Sequence, residues 1–209
     1  MLTDAWEAAD PVWRECFLLA WESFRVGSIP VGAVLLGPDG AVVSRGRNRF
    51  NESVAPPGEI AGSYIAHAEI NALATLPRGE YGDHVLYSTL EPCLLCSSAL
   101  RFSHVGTVRY AAEDPFWHGI DRLPDVNENI ARRWTRREGP LKSPLRTLGA
   151  VLPLVSSVER DVRSVIAVHE REMPEVLRLA QRLAGEPAAR LRTLTLDQAA
   201  SEILGSASS

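Results

Sequence analysis

This 209-residue sequence predicts an α/β fold, a mixed β-sheet with helices on both faces. Two stretches carry that prediction. Val31–Leu36 and Ala41–Arg45 flank the turn Gly37-Pro38-Asp39-Gly40, which is the pattern of an antiparallel hairpin. Val85–Ala112 reads as strand, helix and strand with short links. Such a unit makes a parallel pair with a right-handed crossover. A hydrophobic content of 45% is enough to bury the core this requires.

Taken in order, Asp4–Arg25 has the spacing of one amphipathic helix, with Trp6, Trp13, Phe17, Ala20, Trp21 and Phe24 on the apolar face. Asn51–Gly62 is a loop by composition, Ala66–Leu76 a helix and His84–Leu90 a short strand. Pro92 suits a first helical position, where its missing N–H has no partner to lose, and that helix runs to about Phe102. Val105–Ala112 is the next strand. Beyond it the pattern weakens. A short helix is expected near Val126–Arg136, and Ser143–Ser157 is apolar but interrupted by prolines. Val158–Ala184 reads as one long helix or a pair broken at Pro174, and Glu186–Ser209 as a weakly held tail with one helical stretch. The expected organisation is a main domain over 1–140 and a C-terminal helical extension over 141–209 with a weakly ordered tail.

Net charge is −4, from 22 basic and 26 acidic residues, and lacks the strongly basic footprint of a nucleic-acid binder. The amino terminus has neither the basic nor the apolar segment of a signal peptide, and no apolar run has the length of a membrane span. A soluble cytoplasmic protein is expected. Three cysteines in such a chain argue against a disulfide framework. Cys16, among Trp13, Phe17 and Leu18, reads as a small buried apolar residue.

Cys93 and Cys96 stand at the start of a helix, so both sulfurs share one face and the unpaired N–H groups there favour thiolate. His67, at the start of another helix, supplies a neutral imidazole. One histidine and two cysteines suit Zn²⁺. Three protein ligands are characteristic of a catalytic site, whose fourth position stays open for water. Glu69, two residues from His67, is placed to move a proton between that water and a leaving group. Neither His84 nor His169 is read as a ligand.

His-x-Glu followed by Pro-Cys-x-x-Cys resembles the signature of zinc-dependent nucleobase deaminases. The segments PVGAVLL, GRNRF, AHAEINAL and STLEPCLLCSSAL resemble the cytidine deaminase-like superfamily over about Ile29–Asp114, and within it the tRNA adenosine deaminase and guanine deaminase branch. The resemblance implies a three-layer α/β/α sandwich with a five-stranded mixed sheet and a parallel last pair. It implies hydrolytic loss of ammonia from an amino-substituted base, with His67, Cys93 and Cys96 on zinc and Glu69 as proton shuttle. Asn48 matches an asparagine that contacts base or sugar, though a turn role is open to it. Ala68, Pro92 and Cys93 would hold the substrate edge. By analogy the protein is a homodimer.

Three departures bear on the substrate. The Asn51–Ile65 loop is longer than in the tRNA-editing enzymes. The segment after the last paired strand is bulky: Phe116 and Trp117, with His118, either stack on a base or anchor the C-terminal helices. Asp114 either contacts substrate or caps a turn. The chain also continues about seventy residues past Pro140, over the site, into an oligomer contact, or neither. Arg132, Arg133, Arg136 and Arg137 form the one basic cluster, a phosphate contact or a solvated helix face. The leading expectation is deamination of a small nucleobase or nucleoside, purines favoured. The alternatives are tRNA adenosine deamination and a non-catalytic zinc-stabilised binding module.

Overall fold

The computed structural model describes Trp6 and residues 9–207. Part of the expected first helix, residues 4, 5, 7 and 8, lies outside the described residues. Helix α1 spans Pro11–Arg25, with Pro11 at its first position and the Asp10 side chain accepting from the Val12 N–H. The periodicity from Asp4 had passed over this proline start.

Strands β1 (Gly32–Leu36), β2 (Val42–Arg47), β3 (Val85–Leu90), β4 (Thr107–Ala112) and β5 (Arg136–Glu138) form one sheet in the order β2-β1-β3-β4-β5. The hairpin pair and β1/β3 are antiparallel. The β3/β4 and β4/β5 pairs are parallel, as the strand-helix-strand unit requires. Helices α2 (Ala68–Ala74) and α3 (Leu94–Phe102) cover one face. Helix α1 and the C-terminal helices cover the other.

The pleat sorts the two cores. Ala33, Leu35, Leu86 and Val108 point toward α2 and α3, where they pack with Ala68, Ala72, Leu73 and Leu100. Their neighbours Val34 and Tyr87 point the opposite way, onto Phe17, Trp13 and Val151. Cys16 is fully buried there as a free thiol, as its apolar setting predicts.

The region after β4 departs from expectation. Two 3₁₀ turns, Pro115–Trp117 and Ile120–Arg122, precede the one-turn helices α4 (Leu123–Val126) and α5 (Glu128–Ala131). Arg136 and Arg137 then lie on strand β5 and not on a helix. Strand alternation turns Arg137 inward to a side-chain exposure of 5%, while Arg136 remains at 70%. The proline-interrupted apolar stretch is a single helix, α6 (Leu145–Glu159), with Pro153 inside it. An interior proline costs a helix about 3 kcal/mol. Burial of Leu148, Val151, Leu152 and Val155 against the sheet outweighs that cost. Of the two readings of Val158–Ala184, the structure has the pair broken at Pro174, as α7 (Arg163–Glu172) and α8 (Pro174–Leu183), while Val158 and Glu159 end α6.

The stretch expected to be weakly held carries α9 (Glu186–Leu191) and α10 (Leu196–Ala207). Leu191, Leu196, Ala199 and Ile203 from these helices are buried in the same core as α1. Trp21 Nε1 donates to the Leu194 carbonyl at 3.2 Å and Arg192 Nε to that of Phe24 at 3.0 Å. Hydrophobic periodicity in short segments did not reveal this docking, because the apolar partners lie at the other end of the chain.

Candidate active site

Two close backbone approaches place the site. A Cβ at Gly46 of β2 would lie 2.2 Å from the Ala68 carbonyl oxygen, so only glycine lets α2 settle this near the sheet. A Cβ at Gly149 of α6 would lie 2.5 Å from the Thr89 carbonyl oxygen. Helix α2 thus packs closely on β2 on one face of the sheet, and α6 presses on the C-terminal end of β3 from the other.

His67 is the N-cap of α2, with extended backbone. Cys93 is the N-cap of α3, so Pro92 precedes the cap and does not occupy the first helical position. The Pro92 carbonyl accepts from Ser97 Oγ at 3.2 Å. Cys93 Sγ lies 3.6 Å from Cys96 Sγ and 3.6 Å from His67 Nδ1, and Cys96 Sγ lies 3.3 Å from the same nitrogen. A tetrahedral zinc with ordinary bond lengths needs S···S edges of about 3.8 Å and S···N edges of about 3.6 Å. The triangle fits, and among the described residues these three form the group of potential ligands close enough to share an ion. Zn²⁺ is the cofactor this donor set takes.

Electrostatics agree with the geometry. The Cys93 thiol is pulled down to about 4 by hydrogen bonding from Cys96, against burial and with help from His67. Burial pushes the Cys96 thiol up, and neighbouring Cys93 and Glu69 add to it. Without metal the pair therefore shares a proton, which binding of the cation would release. Burial lowers the His67 pKa, but Cys93 and Glu69 outweigh it and the net direction is up.

Glu69 is 4% exposed. Its carboxylate accepts from Ser88 Oγ at 3.2 Å, and its other oxygen is 3.4 Å from Cys96 Sγ. Burial raises its pKa, with His67 opposing. A carboxyl group beside the metal corner that holds a proton more readily than usual suits proton transfer.

A cavity of about 220 Å³ opens onto this corner. His67, Ala68, Glu69, Cys93, Asn48, Asp114, Phe116 and Trp117 all line it. Pro92, expected against the substrate, is buried but does not line it. Asn48 has the turn role and also lines the cavity: Oδ1 accepts the Phe50 N–H at 2.9 Å, which leaves the amide N–H₂ for other partners. Asp114 likewise caps the 3₁₀ turn through Phe116 N–H at 3.0 Å while lining the cavity. Burial raises its carboxyl to about 6, with Glu91 and Cys93 adding to the shift. Phe116 and Trp117 pack edge to face, centroids 5.3 Å apart, and α7 rests on their turn.

Several residues escaped the sequence reading. Glu91 accepts from Arg137 at 2.7 Å and from the Asp114 N–H at 3.0 Å. Arg137 also donates to Ser97 Oγ at 2.9 Å, so this buried arginine braces the Glu91–Cys96 turn. Its helical assignment in the sequence concealed it. Pro153, Leu154, Ser157, Val165 and His169, from α6 and α7, form the opposite wall. His169, dismissed as a ligand for its distance along the chain, is no metal ligand, but it does face the cavity.

Known proteins are similar to this chain. The chain is 33% identical over 133 residues to the tRNA(Ile)-lysidine synthase of Deinococcus radiodurans, a match covering 60% of this chain and 21% of that one. It is 32% identical over 117 residues to the tRNA-specific adenosine deaminase of Streptococcus pyogenes serotype M1, covering 54% of this chain and 63% of the relative. In both, less than two thirds of the relative is spanned. A solved guanine deaminase from Nitrosomonas europaea shares the fold, with a TM-score of 0.50 at 20% identity over 75% of this chain and 92% of that one. The sequence model of the cytidine and deoxycytidylate deaminase zinc-binding region matches residues 7–112, a little over half of the chain. With the His-Cys-Cys corner, the buried Glu69 and the mixed sheet behind them, the chain belongs to the cytidine and deoxycytidylate deaminase zinc-binding family.

Proposed function

We propose that this protein deaminates a small amino-substituted base or nucleoside by hydrolysis, purines favoured. The observation that carries this reading is the wall of α6 and α7, which bounds the cavity at about 220 Å³. That is below the roughly 300–1,000 Å³ typical of pockets for drug-sized ligands. Phe116 and Trp117 offer flat surfaces on which a purine stacks.

His67 Nδ1 and the sulfurs of Cys93 and Cys96 would hold Zn²⁺, which would supply Lewis acidity and activate a water near neutral pH. Glu69 takes a proton from the attacking water as the water oxygen bonds to the carbon bearing the amine. Glu69 passes that proton to the ring nitrogen, then takes the second proton from the hydroxyl now on the carbon and passes it to the departing nitrogen, so that the C–N bond breaks, ammonia leaves and a carbonyl remains. Ser88 orients the Glu69 carboxylate throughout. Asn48 offers its amide N–H₂ to an acceptor on the base, and Asp114 accepts from an N–H. Walls of apolar side chains exclude bulk water and strengthen these contacts.

The test is ammonia release from zinc-loaded protein against cytosine, adenine, guanine and their nucleosides, with Glu69→Ala as control. Turnover of one compound that disappears in the variant supports the reading. Silence across the panel, with zinc bound, overturns it.

A second reading, deamination of adenosine in tRNA, is favoured by the 32% identity to a tRNA-specific adenosine deaminase. It requires tRNA binding that weakens steeply with salt. Failure to bind tRNA at low salt removes it.

Two further proposals accompany the first. A homodimer follows from the family analogy, and Leu94, Leu95 and Phe102 leave apolar surface exposed on α3. A monomer in light scattering contradicts it. The cytoplasm is its proposed compartment, which suits three free thiols. Among the described residues, no helix is long and apolar enough to cross a membrane.

A further inference from the structure

His169 is a buried residue of α7, 7% exposed, whose ring lines the cavity. Its Nδ1 lies 2.9 Å from the Val165 carbonyl oxygen, which accepts only, so Nδ1 carries the proton. In the neutral ring that leaves Nε2 as an acceptor. Burial holds the ring pKa below its ordinary value, in keeping with the neutral form. Among the described residues no side chain or backbone group donates to Nε2. Nε2 is not sealed within the protein, and on the cavity wall it is open to a donor on a bound molecule. The rest of the wall has little else to offer: Ala150, Pro153, Leu154 and Val165 are apolar, and the Ser157 hydroxyl donates to the Pro153 carbonyl at 3.2 Å.

We infer that His169 is a specificity-determining residue, whose Nε2 accepts a hydrogen bond from a ring N–H of the bound base, and that the substrate class is therefore the free base and not its nucleoside. The inference rests on the proposed base deamination and narrows it. A sugar replaces a ring N–H that His169 would read. It also brings several hydroxyls to a wall that has almost no free polar groups, and unpaired buried hydroxyls are costly.

The experiment compares wild type, His169→Gln and His169→Phe. Each zinc-loaded protein is assayed for kcat and KM, and for binding by calorimetry, against adenine and guanine, their 9-methyl forms and their ribonucleosides. Wild type is expected to favour the free base by roughly 10- to 100-fold in kcat/KM. His169→Phe should lose that preference, mostly through KM, and rates on the N-methylated base should stay within a few-fold. His169→Gln keeps an acceptor and should retain part of the preference, which a merely structural role would not produce. Unchanged selectivity in His169→Phe overturns this inference and leaves base deamination standing. Equal or better use of the ribonucleoside by wild type also overturns it. Wild-type silence toward every base, in turnover and in binding, overturns both.

Discussion

The metal corner and the helical wall facing it enclose one cavity by different physical means. The corner is held by polar groups. Glu52 bonds Arg47 at 2.5 Å and Arg49 at 2.8 Å, and Arg49 also holds Glu59, which fastens the loop leading to His67. Asn71, fully buried, accepts from the Ile60 N–H at 2.7 Å and donates to the Arg47 carbonyl at 2.9 Å. Arg137 and Glu91 brace the cysteine turn. The wall is held by apolar area: Leu148, Val151, Leu152, Leu154 and Val155 of α6 are buried among α1, the sheet and α8. Directional bonds keep ligand atoms at fixed separations, and non-directional burial fixes only where a surface lies. The proposed proton transfer sits on the first region, and the proposed reading of the base by His169 on the second.

The largest break in this comparison is expected from Glu69→Gln, which keeps the shape and removes the proton carrier. Its kcat should fall by roughly 10²- to 10⁴-fold with zinc content unchanged, read by ammonia release and metal analysis. Unaltered turnover would remove Glu69 from the mechanism.

Arg137→Met strands the Glu91 carboxylate in a buried position. About 3–5 kcal/mol of stability should be lost, and zinc retention under chelator should drop with it, because the turn carrying Cys93 loses its brace. Urea melts and metal-release rates measure both. Loss of stability with zinc retention intact would show that the brace does not reach the metal.

Leu152→Ala, at 1% exposure, probes the apolar side. It should cost about 2–5 kcal/mol in urea melts while zinc retention stays as in wild type. That contrast with Arg137→Met is the sharpest separation of the two regions.

The smallest effect concerns acid. Burial alone would raise the Glu52 pKa, but hydrogen bonds and charge from Arg47 and Arg49 outweigh it and hold the carboxyl below its usual value. A depressed folded pKa contributes stability that is present above the unfolded value of about 4.3 and is lost as pH falls through the folded one. Glu52→Gln should therefore lie below wild type in stability at neutral pH, and the gap should close below about pH 4. Melting curves across that range decide it, and a gap that persists in acid would assign Glu52 a role other than charge.

Much of the corner was legible in the chain because its determinants are local. His67 and Glu69 stand two apart at one helix start, and Cys93 and Cys96 three apart at another, so short-range geometry aligns each pair. The hairpin and the strand-helix-strand unit were legible for the same reason. Pro11 was passed over because the apolar spacing continues across it. Arg137 was read on a helix because four nearby arginines resemble a solvated face, whereas pairing with β4 placed it on a strand and turned it inward. Pro153 disguised α6, since proline usually ends a helix and only tertiary burial sustains this one.

By itself, then, the sequence determined the His-Cys-Cys group that could hold a metal, the glutamate beside it, the parallel and antiparallel halves of the sheet and the family. Each follows from spacing over a few residues or from a run of alternating side chains. Only the tertiary structure decided that α6 and α7 form the far wall, that Arg137 supports the cysteine turn, and that His169 meets the cavity. Those placements depend on which apolar faces bury one another across most of the chain, and that is a property of the packed molecule that no local pattern encodes.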